Sequence, residues 1–250
     1  MTATQTPIAL DEDHHVHSTF SNDGLSTLEQ NVQAARERGL RTLLLAEHVR
    51  HDSAWVPDFT AAAGALPGTP GLQIQTGVEV KILDQSGRLD LPADIGGAGF
   101  ILIADHQFPG KRGPVRPDVM RAALARGETG ACDVIGGLVE ATVNALQLTS
   151  ARLPGRLQIA HLFSVLPKMG LDETAVSDEA LAALVRSAQQ TGARLEVNEK
   201  WDCPSPRAVR AFAEAGVPLV ASTDSHRCTT IGVYERVPGI LDAAFTGARR

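Results

Sequence analysis

Histidines and carboxylates crowd the start of the chain, in Asp13-His14-His15-Val16-His17 and then at Asp23. His15 and His17 are two residues apart, so on an extended strand their side chains point to the same side and can share one metal ion. On a helix the same spacing would separate them by about 200°. We therefore expect a strand that ends at a metal site, with His14 turned away in a structural role. The alternative is an exposed polar N-terminal segment.

More imidazoles and carboxylates stand at the ends of apolar runs that predict buried strands. These runs are Arg41–Ala46 before Glu47-His48, the alternating segment 72–80 with Glu79 near its end, Phe100–Ala104 before Asp105-His106, Leu157–Ala160 before His161, Arg194–Val197 before Asn198, and Val217–Ser222 before Asp224-Ser225-His226. Six of the eight histidines fall into the resulting set, which argues against a random distribution. The candidate metal ligands are His15, His17, Asp23, His48, Glu79, His106, His161, Asp224 and His226.

Helical patterns separate most of these strands. Ser26 and Glu29 have the spacing of a capping box, and Leu28, Val32 and Ala35 then fall on one face before Gly39. Because strands that alternate with helices form parallel sheets, we expect a closed or nearly closed α/β barrel whose strand ends meet at one rim. Further helices are predicted at 58–66, around 118–126 and 134–148, at 178–191 after Ser177, and from Ser205 to Gly216, with a small hairpin at 81–91 and a loop at 111–117.

Composition narrows the class of protein. The 250 residues are enough for one large barrel, so we expect a single domain over residues 1–250. A formal charge of -6 and an aromatic content of 4% disfavour nucleic acid as a partner. Cys132, Cys203 and Cys228 have neither disulfide-framework nor zinc-knuckle spacing. Met1–Leu10 lacks the pattern of a signal peptide and no apolar run is long enough to span a membrane, so we expect a cytoplasmic protein.

Nine candidate ligands exceed the needs of one ion, so two or three divalent ions are indicated. The donors are imidazoles and carboxylates without thiolates, which suits zinc, manganese or iron and does not select among them. A carboxylate such as Glu79 can bridge two ions, and a water shared between the ions becomes a hydroxide nucleophile near neutral pH. The expected chemistry is therefore hydrolysis.

In their order along the chain these motifs resemble those of the PHP family, named for polymerase and histidinol phosphatase. Asp13-His14-His15-Val16-His17 looks like the family's opening D-x-H-x-H motif, Glu47-His48 resembles a second motif that is more often Asp-His, and Asp224-Ser225-His226 resembles the closing D-x-H. The resemblance implies a distorted seven-stranded (β/α) barrel, similar to a TIM barrel, with a trinuclear metal centre. It also implies hydrolysis of a phosphate ester without a covalent enzyme intermediate.

The resemblance further implies how the ligands are shared. His15, His17, Glu79 and Asp224 would serve the first ion, and Glu79 would bridge to a second ion held by His106 and His161. Asp23, His48 and His226 would hold the third ion, although Asp23 stands where several family members have histidine, which puts this site in doubt. Glu79 and Asp224 are the residues to which we assign catalytic roles.

Substrate contacts are less strongly indicated. Arg50, Lys200 and Arg227 follow strand-end residues closely, so each can meet a phosphate, and Arg227 is our first choice for bidentate pairing. The alternative for each is a solvated loop charge.

For several other side chains the sequence allows two different roles. Asp13 and Glu47 either orient ligand histidines or satisfy backbone donors. His51 can meet substrate or solvent, and Asn198 can position a water or clamp a loop. Five aromatic residues can wall a pocket or pack the loops: Phe20, Trp55, Phe108, Phe163 and Trp201.

We expect a metal-dependent phosphatase that acts on a small phosphorylated metabolite, with histidinol phosphate as the first named candidate by family analogy. One fold supports many specificities, so this analogy is weak for the substrate. The alternatives are a phosphoesterase for nucleotides or specialised metabolites, a metal-dependent amide or ring hydrolase, and a regulatory metal-binding module without turnover. The sequence does not indicate an oligomeric state.

Overall fold

The computed structural model describes residues 8–246, so most of the Met1–Leu10 segment lies outside the described residues. The predicted buried runs form strands at or within a few residues of their expected bounds. The strands are β1 (Glu12–Val16), β2 (Thr42–His48), β3 (Gln73–Lys81), β4 (Phe100–Ala104), β5 (Phe108–Gly110), β6 (Gly113–Val115), β7 (Leu157–Ile159), β8 (Arg194–Asn198) and β9 (Leu219–Ser222).

Helices follow most of the strands. They are α1 (Leu28–Glu37), α2 (Val56–Gly64), α3 (Pro117–Ala125), α4 (Ala131–Ser150), α5 (Leu166–Met169), α6 (Asp178–Thr191), α7 (Pro206–Glu214) and α8 (Val237–Thr246). Ser177 and Ser205 cap α6 and α7 as expected, each accepting a backbone hydrogen bond through its side chain. In the part of the chain that the structure covers, no helix combines the length and apolar character needed to cross a membrane.

The start of α1 differs from the prediction. Thr27, not Ser26, is the N-cap, and the capping box closes with Gln30 instead of Glu29. Two overlapping patterns of the same type compete in this segment, and the hydroxyl of Ser26 is used elsewhere, accepting the backbone N–H of Cys228 at 2.9 Å. The buried face of α1 is as predicted, with Leu28, Val32 and Ala35 all in the core.

Seven parallel strands form one sheet in the order β1-β2-β3-β4-β7-β8-β9. The two outer strands approach each other, because Val16 bridges to Ser225 and the N–H of His17 donates to the Ser225 carbonyl at 2.8 Å. This nearly closed barrel confirms the predicted fold. In the register of β2 and β3, His48 lies opposite Glu79, so two candidate ligands are neighbours across the sheet.

The two faces of the sheet have different side chains. Outward residues such as Leu195 and Val197 pack with the helices in the main core. Inside the barrel lies a small separate cluster formed by Leu44, Ala46, Leu102, Ala104 and Ala160. Its alanines stand near the carboxyl ends of their strands, which leaves room at that end for the larger imidazoles.

One connection is more ordered than expected, and another is as predicted. The predicted loop at 111–117 contains β6, which pairs with β5 in an antiparallel hairpin. Within the predicted hairpin at 81–91, a bridge joins Ile82 and Leu89, and the N–H of Asp90 donates to the Lys81 carbonyl at 3.1 Å. Cys132, Cys203 and Cys228 are free thiols, as expected.

Candidate metal centre

All nine predicted ligands meet at the carboxyl ends of the strands. Each contributes an imidazole nitrogen or a carboxylate oxygen within 3.5 Å of another member of the set. Glu79 is the hub, since its two oxygens contact five histidines: His15, His17, His48, His106 and His161. Residues separated by more than two hundred positions in the chain are thus brought to one point, as the strand-end pattern predicted.

Four buried atoms in this cluster fit a single cation. His15 Nε2, His17 Nε2, Glu79 Oε2 and Asp224 Oδ1 are buried, and none makes a well-directed hydrogen bond within residues 8–246, although His48 Nδ1 lies 2.7 Å from Glu79 Oε2. His15 Nε2 lies 3.3 Å from Glu79 Oε2, and His17 Nε2 lies 3.4 Å from the same oxygen and 3.3 Å from Asp224 Oδ1.

These three separations match those between neighbouring ligand atoms of a tetrahedral ion, and atoms of His15, His17 and Asp224 all lie within 4.8 Å of one another. Metal–ligand bonds of about 2.0–2.1 Å place neighbouring tetrahedral ligand atoms about 3.3–3.4 Å apart. An unpartnered buried polar atom costs about 1–3 kcal/mol, so four of them facing one point are hard to explain without a ligand. The donor set therefore fits a divalent cation.

The other oxygen of Glu79 faces a second group. Glu79 Oε1 lies 2.9 Å from His106 Nε2 and 2.8 Å from His161 Nε2. One carboxylate therefore faces two sets of imidazoles through different oxygens, which is the arrangement of a bridging ligand.

Asp23, His48 and His226 form the third group. The Asp23 carboxylate lies 3.4 Å from His48 Nε2 and 3.2 Å from His226 Nε2. His48 also contacts Glu79 through Nδ1 at 2.7 Å, so it is shared between groups, unlike the expectation. The side chain of Asp23 is 51% exposed, which makes this the most open part of the cluster.

A tight loop positions Asp23. The N–H of Leu25 donates to the His226 carbonyl at 2.7 Å, which ties the loop to the end of β9. A Cβ atom on Gly24 would lie 1.8 Å from the carbonyl oxygen of Ser18, so the loop requires glycine at this position.

Electrostatics shift the pKa values of the buried donors in both directions. Burial alone would lower the pKa of His15, but the carboxylates of Glu196 and Glu79 outweigh it and raise the pKa well above its usual value, so a cation that binds there would displace a proton. Burial lowers the pKa of His17 to about 3, so the imidazole is neutral, the form that binds a cation. Burial alone would raise the pKa of Glu79, but the charges of His106 and His48 outweigh it and hold the pKa well below its usual range. The Asp224 carboxyl pKa is lowered as well, against burial, by its contact with His17.

Two of the nine residues have unusual backbones. His161 has a φ of 28° and Asp224 a φ of 49°, the left-handed region that non-glycine residues rarely adopt. Such strain costs about 1–3 kcal/mol and is typical of functional sites. Both residues follow short strands, and the backbone turns sharply at each of them, so that the side chain lies in the cluster.

Sequence reasoning missed the carboxylates that orient the ligands. Glu196, fully buried in β8, accepts from His15 Nδ1 at 3.0 Å and from Gln158 Nε2 at 2.7 Å. Asp105 accepts from Ser164 Oγ at 2.9 Å, and Ser164 Oγ lies 2.9 Å from His161 Nδ1. The sequence did contain one sign of this role, because Glu196 is a single carboxylate within the apolar run of β8. It was missed because functional residues were expected at the ends of strands.

The structure shows the contacts of Asp13 and Glu47, for each of which the sequence allowed two roles. Asp13 accepts the N–H and hydroxyl of Thr223 at 3.0 and 2.6 Å, and Glu47 accepts those of Ser18 and Ser21. Both carboxylates therefore accept hydrogen bonds from backbone and hydroxyl donors that lie next to them in the fold. Ser21 Oγ lies 3.4 Å from His17 Nδ1, so Glu47 reaches a ligand histidine only indirectly.

Three other residues lie around the cluster. His14 Nε2 contacts Glu12 at 2.8 Å instead of the cluster, and His51 Nδ1 contacts Asp90 at 2.9 Å with an imidazole that is 77% exposed. Asn198 clamps a loop, since its Oδ1 accepts the Trp201 N–H at 2.9 Å.

A cleft of about 620 Å³ opens above the cluster. Arg50 and Lys200 line it as predicted, together with Lys81, which the sequence reasoning missed. Lys200 Nζ lies 3.2 Å from Asp224 Oδ2 and 3.3 Å from His226 Nδ1. Arg227 is exposed and lines a neighbouring depression with Arg236 and Thr230, so our first choice for the phosphate contact is not in the main cleft.

The five aromatic residues divide into two groups. Phe20, Trp55 and Trp201 line the cleft. Phe108 and Phe163 are buried in the main core, so for these two the packing role is the correct one. Trp201 has a further contact, since its indole N–H donates to Asp224 Oδ2 at 2.7 Å, and Lys168 Nζ lies 3.7 Å above its ring.

Comparison with known proteins gives concordant results. Residues 13–135 match the family model of the PHP domain. A probable phosphatase of Thermoanaerobacter sp. (strain X514) is 34% identical over 92 residues, which span 33% of this chain and 35% of that protein. The alignment therefore covers about a third of this relative. A probable phosphatase of Clostridium novyi (strain NT) is 25% identical over 92% of this chain and 85% of its own length.

One solved structure resembles the whole fold. Histidinol phosphate phosphatase from Lactococcus lactis subsp. lactis Il1403, complexed with zinc, L-histidinol and phosphate, superposes with a TM-score of 0.62. The match covers 96% of this chain and 94% of that one at 15% sequence identity.

The nearly closed parallel barrel and the histidine–carboxylate cluster at its rim define a protein of the TIM-like barrel class with a candidate polynuclear metal site. Residues 13–135 match the PHP domain model, so the resemblance seen in the ordered motifs is confirmed.

Proposed function

We propose that this protein is a metal-dependent phosphatase that hydrolyses a small phosphomonoester. The observation that carries the proposal is the convergence of four unpartnered buried donor atoms, from His15, His17, Glu79 and Asp224, at the floor of an open cleft. The names of the curated relatives favour phosphoester over amide hydrolysis.

Two or three divalent ions would occupy the cluster. His15, His17, Glu79 and Asp224 would hold the first, Glu79, His106 and His161 the second, and Asp23, His48 and His226 the third. Zinc, manganese and iron all suit these donors, and zinc is the ion in the solved structural neighbour. When bound, such ions neutralise phosphate oxygens and activate water as the nucleophile.

The protein's own groups orient the reactants. Glu196 and Asp105 act behind the ligands, fixing the imidazoles of His15 and His161 through hydrogen bonds at the opposite side of each ring. Lys200 lies at the edge of the cluster, where its ammonium can stabilise the charge of a bound phosphate. Glu79 and Asp224 remain ionised and hold the negative charge that attracts the cations.

The substrate proposal is a small phosphorylated metabolite in the cleft. Histidinol phosphate remains the first named candidate because the structural neighbour binds histidinol and phosphate. Nucleotides and specialised metabolites remain the alternatives within the same reaction class. We retain the single-domain organisation and the cytoplasmic location as proposals.

The test is phosphate release from a panel of phosphomonoesters with manganese or zinc present, against chelator-treated protein. We expect at least one ester to be hydrolysed in a strictly metal-dependent manner. A metal-loaded, folded protein that hydrolyses none of the esters would contradict the proposal and favour a regulatory metal-binding module.

A further inference from the structure

Three cationic side chains line the cleft, Arg50, Lys81 and Lys200, and they lie at different parts of its rim. We propose that the substrate has a second anionic group, a carboxylate or another phosphate, held by Arg50 and Lys81 while its ester phosphate lies over the cluster beside Lys200. This inference rests on the proposed phosphatase function and specifies the substrate class.

Strand register places Arg50 and Lys81 side by side. His48 pairs with Glu79 across β2 and β3, and the N–H of Val49 still donates to the Glu79 carbonyl at 2.9 Å. Arg50 and Lys81 each lie two residues beyond one member of that pair. Lys81 is the last residue of β3, and because side chains alternate along a strand it returns to the cluster's face about 6.6 Å farther toward the opening. Arg50 lies just beyond the end of β2, the neighbouring strand. Both line the cleft.

Lys200 occupies a different part of the rim. It follows β8, and its Nζ contacts Asp224 and His226 beyond β9. In the strand order, β8 and β9 lie on the other side of the barrel mouth from β2 and β3. The cleft therefore has one cation beside the cluster at one side and two cations above it at the other.

The carboxylates that line the cleft are Asp23, Glu79 and Asp224, and all three belong to the candidate metal centre instead of pairing with Arg50 or Lys81. Bound divalent ions would balance their charge. Lys81 has its ion pair with Asp90, outside the lining of the cleft, and an ammonium group has three donors, so it can still donate to an anion.

Asp90 lies behind the cleft and holds Lys81 in position. It is 5% exposed, its Oδ2 lies 3.1 Å from Lys81 Nζ, and its Oδ1 accepts the His51 N–H at 3.0 Å. Arg50 has an exposed side chain at the rim, and its N–H is fixed to Ser53 Oγ at 2.9 Å. The pair can therefore receive an anion from above.

This arrangement discriminates between leaving groups. A carboxylate or phosphate near Arg50 and Lys81 gains charge-assisted hydrogen bonds, whereas an ammonium group at the same place meets two like charges. The inference thus places anionic phosphomonoesters ahead of histidinol phosphate, whose organic part is cationic and which is named first above only by analogy with the structural neighbour.

A matched pair of substrates tests the inference. 3-Phosphoglycerate and glycerol 3-phosphate differ only in a carboxylate that replaces a hydroxymethyl group. For the metal-loaded protein we expect kcat/KM to favour 3-phosphoglycerate by roughly tenfold to a hundredfold, the range for a charged hydrogen bond. Arg50→Met and Lys81→Met should each bring this ratio close to one. Arg152→Met, which removes an exposed charge just before β7 at the opposite end of the barrel, should preserve the ratio.

Direct binding separates this inference from the proposed function. The dissociation constants of the same two compounds are measured calorimetrically on the zinc-loaded protein. Selective binding of 3-phosphoglycerate that is lost in Arg50→Met supports the second-anion site even where no ester is hydrolysed. Equal binding and equal turnover of the two compounds, or a preference unaffected by both Arg50→Met and Lys81→Met, would overturn the inference whether or not the protein is a phosphatase.

Discussion

Trp201 offers a way to test the metal centre without removing a ligand. Its indole N–H donates to Asp224 Oδ2 at 2.7 Å, which leaves Oδ1 to face His17. Trp201→Phe removes only this donor, because the phenyl ring can still lie under Lys168. A hydrogen bond to a charged group contributes about 1.5–3 kcal/mol, equivalent to roughly 10- to 150-fold in affinity. Lys200 contacts the same oxygen, so we expect the lower end, about a tenfold loss of metal affinity.

The assay is a competitive titration of zinc or manganese against a chelator of known affinity. Trp55→Phe is the matched control, because Trp55 also lines the cleft but packs against Phe20 and Phe59. Circular dichroism checks that both variants are folded. Wild-type metal affinity in Trp201→Phe, or an equal loss in Trp55→Phe, would refute the role assigned to the indole N–H.

Three further predictions concern the candidate metal centre. Zinc at a hundredfold excess over its dissociation constant stabilises the folded state by about 2.7 kcal/mol, which should raise Tm by about 5–11 °C. His17→Ala should abolish this shift and the activity while keeping the helical circular dichroism, and retained turnover would contradict the assignment. Glu196→Gln should lower metal affinity by roughly 10- to 100-fold because His15 loses its charged partner. Glu214→Gln, on an exposed position of α7, is its control, and equal affinities in the two variants would exclude the orienting role.

The sequence was most informative where the hydrophobic pattern of a strand or helix is followed or preceded directly by a polar residue. Most of the barrel strands are short apolar runs, β1 is marked by its paired histidines and β3 by alternation, and polar residues stand at the strand ends, so both the barrel and the nine clustered residues could be predicted. Ser177 and Ser205 are followed by amphipathic segments, and their helices begin where expected. Ser26 and Thr27 both fit the pattern of an N-cap, so the local sequence could not decide between them. The hydroxyl of Ser26 accepts a hydrogen bond from the distant Cys228, and the hydroxyl of Thr27 caps the helix.

Contacts between distant elements escaped prediction. Glu196 lies inside β8, and only the folded barrel shows that it meets His15, a residue 181 positions away in the chain. Lys81 was indistinguishable from a solvated charge until the register placed it beside Arg50 in the cleft. Arg227 lines a neighbouring depression together with Asp224 and His226 instead of the main cleft, and its contact with phosphate stays a prediction.

An anomalous difference map from zinc-loaded crystals measured at the zinc edge tests the central claim most directly. The account predicts a strong peak about 2.0–2.2 Å from His15 Nε2, His17 Nε2, Glu79 Oε2 and Asp224 Oδ1. A fully loaded crystal whose anomalous peaks all lie away from these four atoms would contradict it.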